Sequence, residues 1–200
     1  MINLIAILAA YLLGSIPTGL WVGKAFYKTD IREHGSKNLG ATNSFRVLGK
    51  KPGLVVTVVD VLKGTAAVLL PLLTVFNDFS LDPLVLGIAA LVGHMLPIFA
   101  GFRGGKAVAT SAGVLLGYTW PLFVLIFFVF FISLKIFKMV SLTSMISATV
   151  AFIYGIVDFF VHNNIGLLIL TFVLWVFIMY KHRANIERMK NGTEPKVTWI

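Results

Sequence analysis

Long apolar runs and short polar segments alternate along the chain, and most charged residues lie in the polar segments. The runs are continuous rather than alternating in polarity, which favours helices over the strands of a membrane barrel. A helix needs about 20 apolar residues to cross the hydrocarbon core of a bilayer. The pattern therefore predicts membrane spans at Ile2–Val22, Pro52–Phe76, Pro83–Phe102, Leu142–Phe159 and Ile165–Tyr180.

The uncharged stretch Ala107–Leu134 is too long for one span. As a straight helix it would reach roughly 42 Å, against a hydrocarbon core of about 30 Å. Gly117 and Pro121 lie in its middle, beside Tyr118 and Trp120. Glycine and proline interrupt helices, and tyrosine and tryptophan favour the membrane interface. The stretch is predicted to form two short helices, Ala107–Gly117 and Pro121–Leu134.

The distribution of lysine and arginine sets the predicted orientation. Every Lys and Arg except Lys63 falls in segments that seven helices with an outside N-terminus would place on one side. Cytoplasmic loops are enriched in Lys and Arg, so that side is predicted to be cytoplasmic. The first run is followed, not preceded, by basic residues, which is the reverse of a signal peptide, so we expect it to be retained.

The sequence thus predicts an all-α integral membrane protein with seven transmembrane helices, an outside N-terminus, a cytoplasmic C-terminus and a single domain, 1–200. Composition agrees, because 58% of the residues are hydrophobic and 12% are charged, too few to cover a soluble core. The net charge of +9 follows from the cytoplasmic lysines and arginines, so we expect no nucleic-acid partner. The absence of cysteine excludes disulfides and thiolate metal sites.

The first polar segment with candidate chemistry is His34–Arg46, which is rich in glycine, serine, asparagine and threonine. Backbone N–H groups beside glycines, together with hydroxyls and amides, can bind an oxyanion. Arg46 can add a two-pronged contact to phosphate. The alternative is an ordinary cytoplasmic turn, which favours the same residue types, and residue chemistry leaves both readings open.

The second segment places two glycines between two cations, at the start of a predicted helix: Arg103, Gly104, Gly105 and Lys106. A helix start with flexible backbone and positive charge is a natural anion site. The alternative is that the two cations only anchor the helix at the cytoplasmic surface.

Further polar residues lie at or inside the last spans. His182 and Asn185 would share one helix face if the final span continues as a helix. Ser141 and Ser144 near the start of the span Leu142–Phe159 are either helix caps and interhelical contacts or substrate contacts. Asp60 and Lys63 lie within a predicted span, three residues apart, and either serve a function or neutralise each other.

Taken together, five motifs give the chain a resemblance to the bacterial membrane acyl-phosphate:glycerol-3-phosphate acyltransferases. They occur in the order Ser15–Gly19, Gly35–Asn43, Asp60–Gly64, Gly93–Thr110 and His182–Arg188, and they cover nearly the whole chain. The combination is highly specific, although each motif alone is weak. Lys37 and Ala107 depart from the pattern, because glycine is frequent at both positions in this family.

This resemblance implies transfer of an acyl chain from a long-chain acyl phosphate to the 1-hydroxyl of sn-glycerol 3-phosphate. The products are 1-acylglycerol 3-phosphate (lysophosphatidic acid) and phosphate, in the first acylation of bacterial phospholipid synthesis. No metal or cofactor is expected. The expected location is the bacterial cytoplasmic (inner) membrane with the active site on the cytoplasmic face. Expected partners are the two substrates, membrane lipid and other enzymes of phospholipid synthesis.

The same resemblance assigns the site residues. Catalytic roles fall to Ser36, Asn38, His182 and Asn185. Substrate binding falls to Ser36, Thr42, Asn43, Arg46, Gly104, Gly105, Lys106, Ser141, Ser144 and Glu187. We expect His182 and Asn185 to face the loop that contains Ser36. The base is either His182 or the phosphate of the substrate, and the lack of a carboxylate partner in sequence for His182 favours the phosphate.

Two other classes of protein fit parts of the sequence. A transporter of organic phosphates would carry a similar charge, but its site would lie at the bilayer midplane between internal repeats, and no repeat is visible. A non-catalytic membrane subunit would leave the two glycine-rich cationic segments unexplained. A test for acyl transfer separates all three classes.

Overall fold

The computed structural model describes residues 1–197, which form α-helices and short 3₁₀ turns. The helices in this part of the chain are α1 Ile2–Ser15, α2 Thr18–Tyr27, α3 Ala41–Val47, α4 Lys50–Val68, α5 Leu84–Met95, α6 Val108–Tyr118, α7 Trp120–Phe137, α8 Val140–His162, α9 Ile165–Lys181 and α10 Arg183–Lys190. The 3₁₀ turns are Leu70–Leu72, Thr74–Phe76 and Ile98–Ala100. The prediction of an all-α protein is confirmed.

The chain divides into two compact units, one from Met1 to Thr119 and one that begins at Trp120. The first unit contains α1 to α6, and the second contains α7 to α10. The division falls at the helix break that Gly117 and Pro121 predict, because α6 ends at Tyr118 and α7 begins at Trp120. The single domain stays a prediction.

Close helix packing in the first unit depends on small residues. A Cβ on Gly64 of α4 would collide with the carbonyl oxygen of Thr110 in α6, and a Cβ on Gly113 of α6 would collide with the carbonyl oxygen of Val61 in α4. The Thr65 hydroxyl also donates to the Gly113 carbonyl at 2.9 Å. These reciprocal glycines let the two backbones touch, as in other membrane helix pairs.

The pair α1 and α5 packs in the same way. A Cβ on Gly14 would collide with the backbone of Ala90, and a Cβ on Gly93 would collide with the carbonyl oxygen of Tyr11. Ala6, Ala10 and Ala90 are fully buried beside them. Gly64 and Gly93, which belong to the sequence motifs, are therefore also packing residues.

The second unit packs around α8 and α9. Met145, Ala148 and Ile178 form a buried cluster that α10 covers with Ile186 and Met189. The ring of Phe152 stacks on that of Trp175 at 5.5 Å, and the indole N–H of Trp175 donates to Thr149 at 3.1 Å. The helical tail α10 is thus held by apolar contacts as well as by its polar ones.

Two of the helices in residues 1–197, α7 and α8, are individually long and apolar enough to cross a membrane. Two bent pairs meet the same condition, α1 with α2 (43°) and α9 with α10 (56°), which raises the number of candidate spans to four. The first bend falls at Ile16 and Pro17, since proline cannot continue the helical hydrogen bonds. The number of seven spans and their orientation stay predictions.

The predicted span Pro52–Phe76 is wrong as one helix in its last eight residues, 69–76. The helix α4 ends at Val68, and two 3₁₀ turns follow around Pro71. Proline lacks the N–H that another helical turn would need. Apolar composition continues past the end of the helix, which is why hydropathy alone extended the span.

Candidate active site

The polar segment between α2 and α3 is held in shape by the side chain of Asn43. Its Nδ2 donates to the carbonyl oxygens of Ile31 (2.8 Å) and His34 (3.2 Å), and its Oδ1 accepts from the Ser36 N–H at 2.8 Å. The side chain is 1% exposed, and each bond satisfies a backbone group of the turn. Asn43 therefore shapes the loop that carries Ser36, and its contact with a substrate stays a prediction.

The other predicted residues of this segment lie on its accessible side. Ser36, Thr42 and Arg46 are exposed, whereas Asn38 is half-buried and its Oδ1 accepts from the Gly40 N–H at 2.9 Å. A hydroxyl and a guanidinium on the surface of a fixed loop can bind an anion that arrives from solvent.

Asp30 and Arg32 fix the same segment, and neither residue belongs to a motif identified from the sequence. Arg32 donates to both carboxylate oxygens of Asp30, with its NH2 group at 2.6 Å, and also to the Ala100 carbonyl at 3.2 Å. The hydrogen bond from Arg32 holds the pKa of Asp30 well below its usual range. The pair therefore ties the polar segment to the 3₁₀ turn Ile98–Ala100 at physiological pH.

The loop Gly104–Lys106 is built around His94. The Gly105 N–H donates to the His94 carbonyl at 3.1 Å, and a Cβ on Gly105 would collide with Nε2 of the His94 ring. A Cβ on Gly104 would collide with the His94 carbonyl oxygen. Both glycines are thus needed for the backbone to lie against His94, and they fix the start of the segment that carries Lys106.

Behind this loop lies a buried polar network that the sequence singled out only as Asp60 and Lys63. Asp60 Oδ1 lies 2.7 Å from Lys63 Nζ and accepts from the Thr18 hydroxyl at 3.1 Å. The Lys63 ammonium also donates to the Ile16 carbonyl at 2.8 Å. The His94 Nδ1 lies 3.0 Å from the Thr110 hydroxyl and 3.9 Å from Asp60 Oδ1. These contacts connect α2, α4, α5 and α6 with the break between α1 and α2.

The two glycine-rich segments of the first unit lie next to each other. Leu39 of the first segment and Ala100, just before the second, belong to one buried cluster with Ile31. Leu39 and Gly105 also line the same small cavity, together with Asp60. The first unit therefore brings together the two predicted phosphate-binding segments, which are more than fifty residues apart in the chain.

In the second unit, Ser141 and Ser144 occupy the first turn of α8 and are buried. The Ser144 hydroxyl donates to the Val140 carbonyl of its own helix at 2.8 Å. The Ser141 hydroxyl instead donates to Glu194 Oε1 at 2.6 Å. Of the two serines, Ser141 thus belongs to a polar cluster formed with the C-terminal tail.

Glu194 is the centre of that cluster. Its carboxylate accepts from Ser141, from Asn185 Nδ2 at 2.7 Å and from Arg188 Nε at 2.8 Å. Burial alone would raise the pKa of Glu194, but these hydrogen bonds outweigh it and hold the pKa below its ordinary value. Glu194 lies outside the motifs, so sequence analysis did not identify it as a candidate site residue.

His182 and Asn185 stand at the bend between α9 and α10, and both are buried. The His182 Nδ1 lies 2.8 Å from the Ile178 carbonyl. A carbonyl only accepts, so Nδ1 carries the hydrogen and, in the neutral ring, Nε2 is the acceptor. Glu187, on α10, is exposed.

These side chains suit an anionic substrate. The exposed predicted residues of the first unit are two hydroxyls and a guanidinium, and the second unit by itself contains an imidazole, an amide and a hydroxyl. Residues 1–197 contain no group of three His, Asp or Glu side chains close enough together to hold a metal ion.

Comparison with known proteins connects this arrangement to one family. Residues 4–192 match the family model described as glycerol-3-phosphate acyltransferase. A glycerol-3-phosphate acyltransferase of Listeria monocytogenes serovar 1/2a is 55% identical over 200 residues, covering 100% of this chain and 99% of the relative. The enzyme of the same description in Bacillus subtilis strain 168 is 52% identical over 200 residues, with 100% of both chains covered.

Two crystal structures share the fold. One is PlsY (YgiH), an integral membrane glycerol 3-phosphate acyltransferase, in its glycerol 3-phosphate form, with a TM-score of 0.87, 36% identity and coverage of 98% of this chain and 96% of that one. The lysophosphatidic acid form of PlsY gives a TM-score of 0.84 at 35% identity, with coverage of 98% and 95%. The chain therefore belongs to the glycerol-3-phosphate acyltransferase family and is an integral membrane acyltransferase.

Proposed function

We propose that this enzyme transfers a long-chain acyl group from an acyl phosphate to the 1-hydroxyl of sn-glycerol 3-phosphate. The observation that carries the proposal is the pairing of the Ser36–Arg46 segment with the Gly104–Lys106 loop in the first unit. Both are glycine-rich, cationic and held by buried polar groups. The relatives named for the same acceptor substrate agree with it.

In this proposal Ser36, Arg46 and Lys106 bind the phosphate of glycerol 3-phosphate. Arg46 supplies a planar pair of N–H donors and Lys106 a compact charge, and both match phosphate oxygens. Gly104 and Gly105 allow the backbone to approach the anion. Thr42 and Asn43 support the same loop.

The remaining residues orient the reacting groups. We assign Asn38, Ser141 and Ser144 to the acyl phosphate or the attacking hydroxyl, and Glu187 to the binding surface on α10. His182 and Asn185 hold the carbonyl or the leaving phosphate. Fixed donors beside a carbonyl that becomes an oxyanion account for most of the catalysis that an activated acyl phosphate requires.

The reaction exchanges one acyl–oxygen bond for another. The 1-hydroxyl oxygen attacks the acyl carbonyl carbon, a carbon–oxygen bond forms, and the bond from that carbon to the phosphate oxygen breaks. Inorganic phosphate leaves with the electron pair of the broken bond. The hydroxyl proton goes to Nε2 of His182 or to a phosphate dianion of a substrate.

The two candidate bases, His182 and the phosphate dianion, differ in whether they need a neighbouring negative charge. The Nδ1–H of His182 faces a carbonyl, which orients the ring but adds no full negative charge to strengthen the base. The phosphate dianion needs no such support. We therefore favour the phosphate as the base and assign His182 to orientation of the carbonyl or the leaving group.

The acyl chain has an apolar groove available in the second unit. The groove has a volume of about 450 Å³ and is lined by Leu142, Met145, Met179, Ile186, Met189 and, among these apolar side chains, the cationic Lys190. Methionine side chains adapt to flexible chains, and the lysine complements a phosphate head group. These features favour the acyl phosphate substrate or the product 1-acylglycerol 3-phosphate as the occupant of the groove.

We further propose that the chain crosses the cytoplasmic membrane of a bacterium seven times, with the active site on the cytoplasmic face. The asymmetry of Lys and Arg and the bacterial relatives support this. Other enzymes of phospholipid synthesis, which supply acyl phosphate or consume the product, are the proposed partners.

The donor experiment tests the proposed reaction. Purified protein receives labelled glycerol 3-phosphate with acyl phosphate, acyl-coenzyme A or acyl-carrier protein in turn. We expect labelled 1-acylglycerol 3-phosphate from acyl phosphate alone. The sequence contains neither the His–Asp dyad of related thioester-dependent acyltransferases nor a separate segment to hold coenzyme A.

Three outcomes would contradict the proposal. Efficient transfer from acyl-coenzyme A with none from acyl phosphate would overturn the donor. Product acylated at the 2-hydroxyl would overturn the position of attack. Uptake of labelled glycerol 3-phosphate into vesicles without any acylation would favour a transporter.

A further inference from the structure

The carboxylate of Glu194 collects three hydrogen bonds from groups on two helices. Ser141 Oγ and Asn185 Nδ2 both donate to Oε1, at 2.6 and 2.7 Å, and Arg188 Nε donates to Oε2 at 2.8 Å. The Glu194 side chain is only 6% exposed. The two carboxylate oxygens thus have different partners: Oε1 binds Ser141 and Asn185, and Oε2 is paired with the cation Arg188.

The tail is fixed on both sides of Glu194. The Thr193 N–H donates to the Arg188 carbonyl at 2.8 Å, which closes the end of α10, and Gly192 adopts φ +68 in that turn. The Val197 N–H donates to the Lys138 carbonyl at 2.7 Å, next to the start of α8. A carboxylate beside the first turn of α8 is also favoured by the helix dipole.

The hydrogen bond from Ser141 restricts what this serine can do with a substrate. A hydroxyl has one hydrogen, and that of Ser141 is directed at Glu194. Towards a substrate Ser141 can only accept, so its partner must be a donor. A substrate hydroxyl meets that condition and a phosphate dianion does not.

We propose that Glu194 is a positioning residue of the acyl transfer, which fixes Ser141 as an acceptor for a hydroxyl of glycerol 3-phosphate and orients the amide of Asn185. Arg188 balances the buried charge, so that the carboxylate disturbs the anionic substrates less. This inference rests on the proposed function, because Ser141 and Asn185 are assigned to the substrates there.

The same contacts have an alternative interpretation, the withdrawal reading. In it, Glu194 occupies the position of a substrate phosphate and must leave before turnover. Serine, asparagine and arginine would bind either anion. The backbone bonds of Thr193 and Val197 favour a permanent position, because they would have to break for the tail to withdraw. The two readings predict opposite effects of removing the carboxylate.

The test compares Glu194→Ala and Glu194→Gln with Lys196→Ala, an exposed residue two positions along the same tail. We expect Glu194→Ala to lower kcat about tenfold or more, while KM for glycerol 3-phosphate changes less than about threefold. Glutamine keeps an oxygen for Ser141 and Asn185, so Glu194→Gln should recover most of the lost kcat. Lys196→Ala should match the wild type.

A double-variant comparison separates positioning from general support of the fold. Because Glu194 acts through both Ser141 and Asn185, Glu194→Ala should cost less kcat when it is added to Ser141→Ala than when it is made in the wild type. If the fold-losses in kcat of the two single variants multiply fully in the double variant, the proposal is overturned. It is also overturned if Glu194→Gln and Glu194→Ala lose equal kcat and both unfold at a lower temperature in detergent. Higher turnover or a lower KM in Glu194→Ala would overturn it in favour of the withdrawal reading.

Failure of the inference can be told from failure of the proposed function. Wild-type protein that transfers no acyl group from acyl phosphate contradicts the function itself, whatever the variants do. Active wild-type protein with an equally active Glu194→Ala contradicts only the role of Glu194.

Discussion

At the scale of single residues, Lys37 and Ala107 both have a backbone φ of +58° and are two of the six non-glycine residues with a positive φ in the described part of the chain. This left-handed conformation costs a residue with a side chain about 1–2 kcal/mol, and glycine escapes that cost. They are the same two positions at which the family resemblance expects glycine. A left-handed backbone is a physical reason for glycine at both positions, and this chain carries local strain beside both glycine-rich segments.

Replacing Ala107 by glycine should stabilise the protein. Ala107→Gly relieves the left-handed conformation at the start of α6 and should raise the free energy of unfolding by about 1 kcal/mol. Ala109→Gly, two residues on and inside α6, should lower it by about 1 kcal/mol. Thermal unfolding in detergent measures both, and two shifts of the same sign would contradict the explanation.

Arg46 and Lys106 should contribute directly to the affinity for glycerol 3-phosphate. Arg46→Ala and Lys106→Ala each remove a charge-assisted contact of about 1.5–3 kcal/mol, which corresponds to a loss of roughly tenfold to a hundredfold in kcat/KM. Lys51→Ala removes an exposed cation just after the same polar segment and should have little effect. Wild-type kinetics in both Arg46→Ala and Lys106→Ala would contradict the assignment.

Residue type revealed part of the candidate site and spatial contacts revealed the rest. Glycines beside cations indicate an anion site from sequence alone, which is why Gly105 and Lys106 are predicted to bind a substrate, and that assignment stays a prediction. Glu194 was not predictable, because its role depends on Ser141, which is 53 positions away. The task of Asn43 in shaping the loop likewise depends on contacts with Ile31 and His34 that no local pattern encodes.

At the scale of helices, hydropathy located most elements and misjudged their ends. The runs 142–159 and 165–180 correspond to α8, Val140–His162, and α9, Ile165–Lys181. The first run was predicted as one span, but the chain bends by 43° at Pro17. Apolar composition persists through bends and 3₁₀ turns, so it cannot report where the hydrogen bonds of a helix stop.

The buried pair Asp60 and Lys63 connects helices of the first unit, and its two members should depend on each other. Lys63→Met leaves the Asp60 carboxylate buried without its cation and should cost about 3–5 kcal/mol of stability. Asp60→Asn combined with Lys63→Met removes both charges and should recover much of that loss. The unfolding temperature in detergent checks the order.

The same pair offers a second readout through the Gly104–Lys106 loop. His94 lies between this network and Gly105, so Lys63→Met should also raise KM for glycerol 3-phosphate. Thr57→Ala, a change on the same helix outside the network, serves as the control. Additive losses from Asp60→Asn and Lys63→Met would contradict the mutual dependence of the pair.

At the scale of the whole molecule, the proposal of seven membrane crossings predicts which segments are accessible from each side of the membrane. The absence of cysteine allows single cysteines to be introduced one at a time. We expect Asp78→Cys to react with a membrane-impermeant maleimide in sealed cells, because its turn is predicted outside. Lys190→Cys should react only after permeabilisation, and its labelling in sealed cells would contradict a cytoplasmic C-terminus.

The reciprocal contact of Gly64 and Gly113 has a consequence for reading mutational scans of this protein. Neither residue touches a substrate in the proposed mechanism, yet any side chain there meets the backbone of the opposite helix. A scan scored by growth alone would find substitutions at both glycines to be tolerated as poorly as substitutions at Arg46 or His182. Abundance measured alongside growth would separate the two groups, since the glycine variants would be lost from the membrane while the active-site variants would remain there without activity.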